Sequence, residues 1–500
     1  MTSNNSGNYT AYTYDKIGQL LTASGTEGST NRANEQLKYS YDAAGNLYQR
    51  TNNALIQTFG VDNLNQLSTA GPSGTLTVSG ATSTNVSSVT VNDGSSTVTA
   101  TRYADNSFAA SGFTPASGSK TYTAIGVDAS GNRATNSETV NLASSVTYTY
   151  DADGNLTNDG VRTFSYDEEN QLTNVSVSGS WKVEFQYDGK MRRRVMKEYN
   201  LNGTVTNEVH YVYDGNVVVE ERDWNNALKV GYVRGKDLSG SFQGAGGIGG
   251  LLARTDNTTS TNSFYHSDGN GNVTCLINSS QAIVAKYLYD AYGNLLSKSG
   301  TLADANVYRF SSKEWHENSG LVYYRYRYYE PNLQRWLNRD PLGERGGRNL
   351  YLFVINEPLG WVDINGDFRW RQFLKGLGAA VGGAVGTFTG AVTAEIGVGI
   401  PIAVSGVVAF NYGLWNMGAA FEDDSAIASQ VENFPDNLGG LVGAGLDSLD
   451  SQSEVPGVMQ TQLSTLEDFL NIFDENHKLE KVHACFETSK DVNDFLEENN

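Results

Sequence analysis

A mainly β fold is predicted for the first three quarters of this 500-residue chain: stacked hairpins, interrupted by an inserted β-sandwich and followed by an α-helical C-terminal region. Three observations predict it. A nine-residue unit, aromatic-x-Tyr-Asp-x-x-Gly-Asn-Leu, recurs along residues 1–71 and 145–300. Gly at 54 residues and Tyr at 28, with only 8 Pro in an Asn-, Ser- and Thr-rich background, favour short strands and tight turns over long helices. Composition then changes near residue 366, and a single core rarely grows beyond roughly 250 to 300 residues, so the chain holds more than one domain.

The repeats come first. Clear copies span 12–20, 39–47, 59–67, 148–156, 164–172 and 287–295, with weaker ones at Tyr187-Asp188-Gly189, Tyr213-Asp214-Gly215 and 265–273. Adjacent copies start roughly 16 to 27 residues apart, the period of a stacked β array. Alternation in Tyr12-Thr13-Tyr14 puts both rings on one strand face, and the Asp and Gly-Asn that follow suit a turn capping its own backbone. A lone hairpin cannot bury its face, so the units must stack into one curved sheet, spanning 11–71 and 145–366. Asp15, Asp42, Asp151, Asp167 and Asp290 read as turn caps, because catalytic carboxylates come as one pair whereas turn residues come once per repeat.

Residues 72–144 carry no such unit. Their β-branched alternation, as in Val89-Thr90-Val91, with a turn signal every 8 to 12 residues or so, predicts a small β-sandwich of immunoglobulin-like or fibronectin-like type, projecting as a separate domain.

Residues 301–366 are denser and irregular. Six Tyr lie between 308 and 329, alongside Arg309, Arg325, Arg327, Arg335 and Arg339. Tyr308-Arg309-Phe310, Gly320-Leu321, Tyr324, Arg327-Tyr328-Tyr329, Pro331, Arg335-Trp336, Asp340-Pro341-Leu342-Gly343, Asn349-Leu350-Tyr351, Asn356, Pro358, Asp363 and Gly366 together closely resemble the core of the RHS-repeat, or YD-repeat, family. The resemblance implies that the repeats spiral into a hollow shell, also found as the YD-shell of teneurins. It also implies that the core is a self-cleaving aspartyl protease.

Two Asp turns, Arg339-Asp340-Pro341-Leu342-Gly343 and Val362-Asp363-Ile364-Asn365-Gly366, stand 23 residues apart. By the resemblance Asp340 and Asp363 form the catalytic pair, with Arg339 beside them, and the bond cut is Asp367-Phe368. Two carboxylates held close share a proton, so one can act as base on water and the other as acid. The family pattern Asp-Pro-x-Gly-Leu is altered here: Ile364 replaces Pro and Asp367 replaces Leu, a charged side chain where an apolar pocket is expected. The other reading makes Asp340 and Asp363 caps of the turns that close the shell.

From 376 to 421 the single charge is Glu395, and Gly378, Gly382, Gly386 and Gly390 share one helical face, as in close-packed membrane helices. The stretch 367–421 therefore reads as a membrane-competent helical hairpin broken at Pro401, or as an apolar segment sheltered by the shell. Residues 422–500 hold 18 acidic residues against 3 Lys. In the family this place holds a variable effector, frequently a toxin, whose partner is a cognate immunity protein. His477, His483 and Cys485 match no hydrolase or metal spacing.

The formal charge of −20 argues against nucleic acid and anionic lipid as ligands of the whole chain. Cys275 and Cys485 form no CxxC or metal spacing, and no cofactor motif occurs. The first residues lack a basic and then apolar leader, and a repeat begins almost at once, as expected of a C-terminal piece of a longer protein exported by another route. As an orphan fragment the chain would be cytoplasmic. Two functions fit: a shell that encloses or presents a variable effector, or an adhesive surface protein whose repeats and insert are binding modules.

Overall fold

Every clear copy of the repeat folds as the same five-residue turn. In the first, Asp15 Oδ1 accepts from the backbone N–H of Ile17 and Gln19 at 3.0 and 2.8 Å, and Oδ2 accepts from the Gln19 side-chain amide at 2.8 Å. The pattern repeats at Asp42, Asp151, Asp268 and Asp290, with Asn at the fifth position. The fourth residue has positive φ, at Gly18, Gly45, Gly154, Gly271 and Gly293, which explains the glycine of the unit. One strand gains a residue on its partner just before the Asp, between Thr13 and Tyr14, Ser40 and Tyr41, Ser165 and Tyr166, and Leu288 and Tyr289. A bulge at every turn adds local twist and so bends the sheet.

The computed structural model describes residues 2–3, 8–82, 85–115 and 117–367. The architecture is mainly β. Eight antiparallel strands, from Thr2–Ser3 to Leu67–Gly74 with Val146–Thr147 added last, form a first sheet in chain order. Fourteen more, from Thr149–Tyr150 to Leu295–Ser299, form a second. The single continuous sheet expected from the repeats is therefore divided. Val146 and Thr147 pair with Ala70 and Thr69, the Tyr148 N–H donates to Ser68 O at 3.0 Å, and Thr149 already pairs with Asn158. One extended segment thus ends the first sheet and begins the second.

At four of the turns the tyrosine before the Asp ties one repeat to the preceding one. Tyr41 Oη donates to Leu20 O, Tyr187 to Leu172 O, Tyr213 to Arg193 O and Tyr289 to Val273 O, at 2.6 to 2.9 Å. Each acceptor is the residue directly after the preceding turn.

The insert has two sheets on its own core. Leu76–Ala81, Thr101–Arg102 and Ser107–Phe113 form one, and Ser88–Asn92, Thr97–Thr99, Ser119–Val127 and Arg133–Asn141 the other. Val89, Val91, Phe108, Phe113 and Tyr122 are buried between them, so this is a β-sandwich. It does not merely project. Arg32, 2% exposed, donates to Asp105 Oδ2 at 2.9 Å and Ser107 Oγ at 2.7 Å while its guanidinium covers the Tyr103 ring. Within the insert, Asp128 to Asn132 adopts the same Asp turn as the repeats.

Residues 308–366 form a layer against both large sheets. Their four short strands, Glu314–His316, Leu321–Tyr323, Tyr328–Glu330 and Arg335–Trp336, pair in order. Leu321, Tyr323, Tyr328 and Leu337 join the core of the second sheet, whereas Val322, Tyr324, Tyr329 and Trp336 join that of the first. Alternate strand residues point to opposite faces, so one short sheet serves two cores. The helical region expected beyond residue 367, with the apolar stretch 376–421 and the acidic residues 422–500, lies outside the described residues.

Candidate functional site

The core layer is held by the repeat turns themselves. Asn356 Nδ2 donates to Gly45 O at 2.7 Å, Tyr351 Oη to Gly154 O at 2.8 Å, Ser312 Oγ to Gly271 O at 2.7 Å and Asn338 Nδ2 to Asn170 O at 3.1 Å. Turns whose carboxylates are used up internally still offer outward carbonyls, and the core reads those.

At the centre of this layer stands Arg327, 2% exposed, in the turn between Leu321–Tyr323 and Tyr328–Glu330. Its guanidinium lies over the Trp336 ring, 4.2 Å from the centroid. Nη1 donates to Leu350 O at 3.1 Å, Nη2 to Asp340 Oδ2 at 2.8 Å, and Nε to Gly366 O. Asp363 Oδ2 lies 3.7 Å from the same Nη2. The planar fork of an arginine suits this three-way grip.

Each carboxylate divides its oxygens between two tasks. Asp340 Oδ1 caps its turn by accepting from Leu342 N at 2.8 Å, and Asp363 Oδ1 accepts from Gly366 N at 2.7 Å and Asp367 N at 3.2 Å. Both Oδ2 atoms face Arg327. The turn-cap and paired-acid readings therefore describe different atoms of the same residues. Gly346 seals the Asp340 side, where a Cβ would sit 2.8 Å from the carboxyl carbon.

Asp363 is 1% exposed, and burial pushes its acid up to about 6, with Arg327 opposing and Asp340 adding to the rise. Its Oδ2 is a buried oxygen with no hydrogen-bond partner. An ion-paired carboxylate beside a carboxyl that protonates near neutrality is an arrangement able to take and give a proton. Lys313 lies close by, donating to Gly246 O at 3.0 Å, with its amine pushed down to about 7 mainly by burial.

The structure thus brings Asp340 and Asp363 to one guanidinium, and that guanidinium is not Arg339. Arg339 packs on the turn of Asp151 to Asn155, filling the space beside Gly154. Adjacency to Asp340 pointed to Arg339, whereas Arg327, of the Arg327-Tyr328-Tyr329 run, comes from the turn that precedes Tyr328–Glu330. Asp367, the residue at the expected cut, is 7% exposed and directly follows Gly366, whose carbonyl Arg327 holds. Among the described residues no group of three His, Cys, Asp or Glu could hold a metal ion.

No family model matches the chain. It is 34% identical over 239 residues to the tRNA3(Ser)-specific nuclease WapA of Bacillus spizizenii, covering 46% of this chain and 9% of that protein. It is 28% identical over 211 residues to salivary gland surface protein 1 of Aedes aegypti, covering 41% of this chain and 6% of that protein. The chain thus spans less than a tenth of the length of either relative. A solved structure of the Photorhabdus luminescens Tc holotoxin pore is similar over 72% of this chain and 18% of its own, at 19% identity and a TM-score of 0.37. The likeness to the WapA nucleases supports an RHS/YD-repeat family for this chain.

Proposed function

We propose that the described residues are the shell and closing core of a toxin-related RHS protein that encloses or presents residues 422–500 as a variable effector. Self-cleavage after Asp367 by Asp340 and Asp363 would release that effector. One observation carries this reading: two buried carboxylates face a single guanidinium that also holds Gly366 O, immediately before Asp367. Water adds to the Asp367 carbonyl carbon as one carboxylate takes its proton. The other gives a proton to the Phe368 nitrogen, and the C–N bond breaks to leave an acid and an amine.

Intact-mass measurement tests it. Wild type, or Asp367→Leu if Asp367 blocks its own site, should split after residue 367 without added protease, and Asp340→Asn should stay whole. Both wild type and Asp367→Leu remaining intact would leave the pair as turn caps.

The proposed partner of the tail is a cognate immunity protein, and the protein is read as secreted or displayed at the cell surface. WapA is named for acting on tRNA, so the chain's overall charge is no ground for excluding a nucleic-acid target of the tail. Residues 376–421 are read as membrane-competent, and among the described residues no helix is long and apolar enough to cross a membrane. Recovery of a 368–500 fragment wholly in the carbonate-extractable fraction would count against insertion. The name of the Aedes aegypti relative favours a second reading, an adhesive surface protein without enzymatic activity. A small neighbouring reading frame that neutralises the tail would decide for the effector.

A further inference from the structure

We infer that the loop 235–250 of the second sheet is a positioning element for the segment to be cut, seating Ile364 so that residues 363–367 keep one register. The consequence for cleavage rests on the self-cleavage reading above, whereas the seat itself rests on geometry. The loop joins Leu228–Arg234 to Leu251–Asp256, and at Gly246 its backbone meets Ile364, which is 6% exposed. A Cβ at Gly246 would sit 2.6 Å from Ile364 Cγ2 and 2.8 Å from Ile364 O. Non-bonded carbons pack at about 3.5 to 4.0 Å, so a glycine alone admits this approach. Gly246 also has a φ of 58°, which glycine adopts freely.

The seat is held from both sides. Asp237, itself 6% exposed, accepts through Oδ2 from Ala245 N at 2.7 Å and Gly247 N at 3.0 Å, so one carboxylate fixes both neighbours of Gly246. Gln243 ties the loop to the adjacent repeat turn, accepting from Asn216 N at 2.9 Å and donating to Asp214 O at 3.0 Å. Towards the core layer, Gly249 N donates to Ser312 Oγ at 3.0 Å. Lys313 Nζ, on which Asp363 is the foremost charge acting, donates to Gly246 O at 3.0 Å. The core layer grips the next residues: Tyr326 N donates to Asn365 O at 3.0 Å, and Arg327 Nε to Gly366 O. Three consecutive residues before Asp367 are thus held by three different groups, and the first grip comes from the repeat array. The fit of Cγ2 against Gly246 makes position 364 a specificity-determining one, suited to a β-branched side chain.

Hydrogen exchange of the full chain, read by mass spectrometry on the peptide covering 363–367, tests the seat without needing cleavage. Asp237→Asn, which leaves one acceptor oxygen in place of two, and Gln243→Ala should free the loop. The amides of Gly366 and Asp367, bonded to Asp363 Oδ1, should then exchange about tenfold faster, while the turns at Gly45 and Gly154 stay protected. Ile364→Ala should do the same and Ile364→Val should not. Unchanged exchange of this peptide in both loop variants would overturn the inference. So would equal gains throughout both sheets in Gln243→Ala, the milder variant.

The cleavage arm uses the Asp367→Leu background. Asp237→Asn and Ile364→Ala should each slow cleavage roughly tenfold to a hundredfold, as misplacing a reacting bond by about an ångström does. The double variant should be no slower than the slower single one, because the loop acts through Ile364. Ile364→Val should keep most of the rate and Ile364→Leu should lose it. Losses that multiply in the double variant, or full rates in both single variants, would overturn the positioning role. No cleavage in any variant would defeat the protease reading, and hydrogen exchange would still judge the seat.

Discussion

Arg32 Nη2 in the first sheet lies 2.9 Å from Asp105 Oδ2 in the inserted sandwich, 73 residues away in sequence. The same guanidinium also reaches Glu27 and Glu35, so one buried cation is shared between shell and insert. Removing the insert would strip Arg32 of Asp105, Ser107 and the Tyr103 ring together. A chain lacking 72–144 should therefore lose stability in its first sheet, against the expectation of an independent appendage. Asp105→Ala should cost roughly 1.5 to 3 kcal/mol, the range for a hydrogen bond to a charged group. Urea unfolding checks it, and an unchanged midpoint would show the clamp to be idle.

Trp336 sits 5.2 Å from Tyr324, 5.6 Å from Tyr329 and 5.6 Å from Phe353, centroid to centroid, beneath the Arg327 guanidinium. Trp336→Ala should cost about 3 to 5 kcal/mol by opening a cavity in this cluster. Trp336→Phe should cost less. Equal losses would mean that ring volume does not decide the packing.

The tyrosine link between repeats predicts a repeated small effect. Tyr187→Phe, which removes the hydroxyl donating to Leu172 O at 2.6 Å, should destabilise by about 1 kcal/mol. Tyr289→Phe should do the same through Val273 O. Full stability in both would mean that the hydroxyls only fill space.

Stability should depend on pH in two opposed branches. Asp363 is pushed up from 3.8 to about 6, and Glu221 from 4.5 to about 7, in each case chiefly by burial. Between the unfolded and folded values the native state holds protons that the unfolded chain has released, so stability falls as pH rises towards 7. Lys313 is pushed down from 10.5 to about 7, so above 7 the unfolded chain binds the extra proton and stability rises with pH. Glu221→Gln should gain on wild type steadily from pH 4.5 to 7 in urea midpoints. A difference that stays constant over that range would refute the assignment to Glu221.

The repeats were legible because an Asp turn is local: its carboxylate, two N–H groups and the fifth side chain all lie within five residues. The same signal at Asp128 was missed because Ile125 and Val127 stand where the repeat unit has its aromatics. The sheet change at Tyr148 depends on which edge of a strand meets a distant neighbour, a choice that no local pattern encodes. Arg339 illustrates the limit of adjacency. Consecutive residues of extended chain point opposite ways, so the residue beside Asp340 in sequence faces the turn at Gly154, and the one beside it in space came from position 327.

The back-reaching tyrosines give the array a direction in time. Each of the four hydroxyls donates to a carbonyl that precedes it in the chain, so a hairpin can lock onto its predecessor as soon as it is synthesised. The layer at 308–366 is different, because its partners at Gly45, Gly154 and Gly271 were made up to some three hundred residues earlier. Translation therefore builds two open-faced sheets by short-range steps and completes them with one late, long-range closure, which is the slow step on contact-order grounds. The sheets wait for the last described residues to leave the ribosome, and a nascent chain truncated before residue 308 exposes the aromatic faces that the closing layer covers.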